Sequence, residues 1–144
     1  MLEPSRNERV ALCEGSLDRA CERIRVVWVG VLRLGYTPHH DLPDLYRGAS
    51  VFVYPSLFEG SGMPVVEAMA CGVPCVVSSH ASLDEACGDA AVRADPHDPD
   101  ALARAIERAL AERDTLVPRG LEHARTFTWL ANGRAHLAAW EAAR

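Results

Sequence analysis

Along the chain, short runs of β-branched and aliphatic residues alternate with stretches whose apolar positions recur three and four apart. Residues 25–34, RVVWVGVLRL, form a run of the first kind and read as a buried strand with a break at Gly30. Residues 49–54 and 73–77 read the same way, and 90–94 is a weaker strand. The second kind is clearest after Asp98 and Pro99, which mark a helix start. There Ala101, Leu102, Ala105, Ile106, Ala109 and Leu110 line one face, as a helix lying on a sheet requires. Shorter helices are predicted over 41–47, capped by Asp41 with Leu42, Leu45 and Tyr46 on the apolar side, and over 82–86. Two more cover 116–127, with Pro118 in the first turn, and 129–143. In the first 24 residues Val10, Leu17, Ala20, Cys21 and Ile24 fit a helical stripe, which Gly15 weakens. Helices set between short apolar strands predict an α/β fold, a Rossmann-like parallel sheet flanked by helices. Ligands of such sheets bind beyond the carboxyl ends of the strands.

The densest punctuation lies in residues 54–78, YPSLFEGSGMPVVEAMACGVPCVVS. A strand ends, a glycine loop follows, and Pro64 suits the first position of a helix that Gly72 and Pro74 stop. Met63 falls at the expected N-cap, where it offers no oxygen to the first backbone N–H groups. Such a helix start invites an anion, most simply a phosphate. Glu59 opens the loop and Glu67 lies a turn inside the helix, with seven residues between them. A carboxylate beside a phosphate can hold a diol, as an acidic residue holds ribose in dinucleotide folds. The pattern therefore suggests a nucleoside diphosphate carrying a hydroxyl-rich group. A plain strand–loop–helix crossover with two surface glutamates has the same spacing.

Composition narrows the classes. The 144 residues suit one domain with a real core, and 49% are hydrophobic. A net charge of -5 gives nucleic acid no electrostatic support as a partner. No apolar run approaches membrane-spanning length and no leader pattern opens the chain, so the expectation is cytoplasmic, or peripheral at the inner face of the membrane. All 15 basic residues are arginine. Five cysteines without a CxxC pair argue against a disulfide framework. Cys71, Cys75, His80 and Cys87 could be imagined around zinc. Cys71 closes a helix and Cys75 lies in an apolar strand, though, where a thiol acts as a small apolar group. No metal and no cofactor are expected.

The central stretch resembles a known family when taken with its flanks, LGYTPHHDLPDLYRGASVFVYPS before it and LDEACGDAAVRADPHDPDALARAIERALAE after it. The likeness is to the C-terminal, donor-binding domain of retaining glycosyltransferases of the two-Rossmann-domain (GT-B) type. It falls in their large group 1 family (family-4-like), and runs over about residues 24–140. Its carrier is the glutamate pair in an EGxGxPxxEAMACGxP setting, far more specific than a lone glycine loop. The resemblance implies that Glu59 lies at the donor sugar as the catalytic residue and that Glu67 holds the nucleotide ribose. The rest of the donor site would be Gly60, Ser61, Gly62, Met63, Pro64 and Val65, with Tyr36, Thr37 and Pro38 flanking the base. Ser61 stands where the family often has an aromatic residue, which leaves the sugar open. The family also sets an arginine and a lysine against the donor phosphates, and this chain has no lysine.

On this resemblance the chain is the partial C-terminal half of a GT-B fold, N-terminally truncated. It would comprise a helical segment at 1–24, a partial nucleotide-sugar-binding domain at 25–128 and a C-terminal helix at 129–144. That helix crosses back to the acceptor domain in the family. The implied activity is transfer of a hexosyl group from a UDP- or GDP-sugar, with retention and without a metal, to a sugar, lipid or other small acceptor. The fragment is expected to be inactive alone, its acceptor domain supplied elsewhere or by a separate chain. The alternative is a non-catalytic nucleotide-binding or partner module that works only with a second chain. A glycosidase carboxylate pair fits less well, having no phosphate for the glycine loop.

Overall fold

The computed structural model describes residues 10–12, 34 and 36–144. Four parallel strands form one sheet in the order β1-β2-β3-β4. They are β1 (Val10–Leu12), β2 (Val51–Tyr54), β3 (Cys75–Ser78) and β4 (Ala91–Ala94). Helix α1 (Leu42–Arg47) leads into β2, α2 (Met63–Ala70) crosses to β3, and α3 (Ser82–Cys87) crosses to β4. Helices α4 (Pro99–Ala111), α5 (Arg113–Ala124) and α6 (Trp129–Ala142) complete the chain.

β2 and β3 are almost wholly apolar because both of their faces are covered. Alternation along β2 sends Val51 and Val53 to one side and Phe52 and Tyr54 to the other. On the first side they meet Val76, Val92 and the α4 face of Leu102, Ala105, Ile106 and Ala109. On the second, Phe52, Cys75 and Val77 meet Val65, Ala68 and Met69 of α2, with Leu83 and Ala86 of α3. Helix α4 starts as its residues dictate. The Asp98 carboxylate accepts from the amides of Asp100 at 2.9 Å and Ala101 at 3.1 Å.

Several elements depart from the sequence reading. Val10–Leu12, assigned to a helical stripe, is a strand in parallel register with Val51, Phe52 and Val53. A three-residue apolar run has no local signal strong enough to decide its state, and here the edge of β2 decides it. The 1–24 segment, expected to be helical, thus contributes a strand beside β2. The rest of the 1–24 stripe and the 25–34 run, Leu34 excepted, lie outside the described residues. Helix α5 starts three residues earlier than expected, because Glu112 both ends α4 and begins α5. Pro118 therefore stands inside α5 and not in its first turn. Asp41 precedes α1 as predicted, but its side chain caps nothing.

Candidate functional site

The motif begins just beyond the carboxyl end of β2 and runs into α2. Helix α2 begins one residue earlier than expected, with Gly62 and not Met63 as N-cap. Gly62 takes φ 64°, in the left-handed region. A Cβ there would lie 2.7 Å from Ala86 Cβ and 2.8 Å from Leu83 Cδ2. Glycine is thus required twice over, by the turn and by the close approach of α3. No side chain caps the helix. Its first donors are few, since Pro64 has none and the Val65 amide bonds the Gly62 carbonyl at 2.9 Å.

The loop amides before the helix already hold an anion, and it is Glu59. Its Oε1 accepts from the Gly60 amide at 2.8 Å and the Ser61 amide at 3.1 Å. Its Oε2 accepts from the Tyr54 hydroxyl. The Tyr54 hydroxyl, then the amides of Ser61 and Gly62, and more weakly Gly60, hold this carboxyl down to about 2. The first three stabilise the charged form more than burial opposes it. The cradle of loop amides is filled by a carboxylate of the chain itself, where the sequence reading expected an anion such as phosphate at the helix start.

Glu67 projects from α2 and is exposed. Its Oε2 accepts from the Tyr46 hydroxyl at 3.1 Å. Met63 is exposed and Val65 is fully buried, so Val65 supports the helix start from beneath. At the back of the loop the Ser78 hydroxyl donates to the Ser56 carbonyl at 2.5 Å, tying the ends of β2 and β3 together. Tyr36, Thr37 and Pro38 lie ahead of α1, with Tyr36 89% exposed. Among the described residues no hydrogen bond or ring contact links these three to the glycine loop.

Two tyrosines join the site that the sequence reading had left out of it. Tyr46 had been assigned to the apolar side of α1, and Tyr54 to a strand end. The only local hint was a tyrosine five residues before Glu59. Cys71, Cys75 and Cys87 are free thiols. Burial pushes all three up, so they behave as apolar groups. Among the described residues no three His, Cys, Asp or Glu side chains gather as a metal site, and no helix is long and apolar enough to cross a membrane.

The parallel α/β sheet, with its glycine loop and glutamate pair beyond the end of β2, sets the fold class, and comparison with known proteins gives the family. Residues 26–123 match the family described as Glycosyl transferases group 1, and the chain belongs to that family. It is 50% identical over 99 residues to O-antigen chain mannosyltransferase B of Escherichia coli, covering 67% of this chain and 26% of that protein. It is 43% identical over 94 residues to the D-inositol 3-phosphate glycosyltransferase of Salinispora tropica, covering 62% of this chain and 20% of that one. Among solved structures it superposes on sucrose-phosphate synthase from Thermosynechococcus elongatus with a TM-score of 0.64 at 33% identity. That match covers 76% of this chain and 30% of the synthase. The chain thus spans about a fifth to a third of the length of these relatives.

Proposed function

We propose that this chain is the donor-binding part of a retaining, nucleotide-sugar-dependent hexosyltransferase. The observation that carries the reading is the pair Glu59 and Glu67 on either side of the start of α2, with the amides of 60–62 turned onto the Glu59 carboxylate. In this reading Glu67 holds the ribose diol of the nucleotide. The diphosphate lies at the helix start, near Met63, Pro64 and Val65, where the dipole favours it. Glu59 acts at the sugar as the catalytic residue, with Gly60, Ser61 and Gly62 against the transferred group. Tyr36, Thr37 and Pro38 flank the base. No metal is invoked, the helix dipole being what favours the phosphate charge. Mannose is the first sugar to try, given the mannosyltransferase named above. The acceptor, a sugar, lipid or other small molecule, sits on a second domain in the longer protein or on a separate chain. The site faces the cytoplasm, free or at the inner face of the membrane.

Calorimetry with UDP, GDP and their hexose conjugates tests the assignment. Glu67→Ala should remove most nucleotide binding. Glu59→Ala should spare free nucleotide and weaken only the nucleotide-sugar. Equal losses for both ligands in both variants would mean the two roles are misassigned.

A further inference from the structure

We propose that Tyr46 and Tyr54 are the positioning residues of the glutamate pair, Tyr46 setting Glu67 and Tyr54 setting Glu59, aligned with each other through Phe52. The inference rests on the donor-site reading above and names the groups that orient it.

The three rings form a column beneath the site. Tyr46 meets Phe52 edge-on, with centroids 5.3 Å apart and planes at 82°. Phe52 stacks on Tyr54 at 6.0 Å and 19°. Strand alternation explains half of this, since Phe52 and Tyr54 are two apart on β2 and face the same way. Helix α1 supplies the rest by burying Tyr46 in the cluster that contains Phe52. Phe52 is 2% exposed and carries no polar atom, so it serves as the spacer. Each end of the column carries a phenol, an apolar body with one polar tip. One tip donates to Glu67 and the other to Glu59.

A buried tyrosine needs only some acceptor for its hydroxyl. Here the acceptors of both are the two carboxylates of one motif. Glu59 stands on a loop and Glu67 on a helix, and β2 with α1 gives both a common reference. Without it, Glu59 would be fixed only by its neighbouring amides, and Glu67 would be one exposed side chain with free rotamers.

Tyr46→Phe and Tyr54→Phe each remove a single oxygen and keep the column. They are to be compared with the unaltered 144-residue chain using GDP, GDP-mannose, UDP and UDP-glucose as probes. Tyr46→Phe should weaken nucleotide and nucleotide-sugar by the same factor, about five- to tenfold. Tyr54→Phe should leave free nucleotide within about twofold and weaken the nucleotide-sugar about fivefold. A ligand-free readout accompanies these, carbon-13 NMR of the glutamate carboxyls. Tyr54→Phe should raise the Glu59 midpoint from about 2 toward 4.5, since its hydroxyl is the largest cause of the lowering. Tyr46→Phe should displace the Glu67 carboxyl resonance. If the unaltered chain binds none of the four probes, the donor-site reading fails, and the two carboxyl signals alone decide the positioning. Carboxyl signals unmoved by both substitutions would overturn it, as would affinities unchanged in both variants.

Discussion

At the scale of single residues the loop depends on what Gly62 lacks. Its left-handed backbone costs any L side chain about 1–2 kcal/mol, and the space a methyl would need belongs to Ala86 and Leu83. Crowding of this kind adds about 1–3 kcal/mol. Gly62→Ala should therefore destabilise the chain by about 2–5 kcal/mol, read as a lower urea midpoint. Gly60→Ala makes the control, because a Cβ there meets nothing within 4 Å and its φ is not positive. Equal midpoints for the two variants would show that the α3 contact does not constrain the loop.

At the scale of elements, the parts legible from the chain were those whose signals are local. Asp98 and Pro99 start α4 as read, and Leu102, Ala105, Ile106 and Ala109 fill its buried face. Cap and stripe both act within a few residues. The misses lie where distant partners decide. Val10–Leu12 became a strand because β2 offered an edge. The N-cap is Gly62 and not Met63, in a left-handed turn packed against Ala86 and Leu83 of α3. The two glutamates were singled out by their EGxGxPxxE setting and not by spacing alone, whereas Tyr46 reaches Glu67 across 21 positions that no periodicity connects. Helix α6 shows the opposite imbalance. Thr128 caps it by accepting from the Ala131 amide at 3.1 Å, yet none of its residues is buried. Isolated helices shorter than about 12–15 residues are marginal in water, and α6 has 14. Hydrogen exchange should find α6 amides the least protected of the helices and β3 amides the most protected in the chain. Protection of α6 equal to that of α4 would contradict this.

At the scale of the whole molecule, the donor-site proposal predicts that the chain alone does not turn over. Positioning two reactants supplies about 7–11 kcal/mol of a barrier, and on that proposal the acceptor is held elsewhere, the chain spanning 26% of one relative and 20% of another. Binding a donor without the rest lowers no barrier, because only interactions stronger in the transition state accelerate chemistry. The chain alone should release no more UDP or GDP from a panel of nucleotide-sugars with mixed acceptors than the uncatalysed background. Turnover above it would place a complete site within these 144 residues. The exposed helix also determines what spectroscopy will see. Two of the three tryptophans, Trp129 at 93% exposure and Trp140 at 63%, ride on α6. Their emission should be that of indoles in water and should barely redden when the sheet comes apart. The rings that witness the sheet itself are Tyr46 and Tyr54. A melting curve followed through tyrosine near-ultraviolet dichroism would report on the domain, while one followed through those two indoles would report on a single helix.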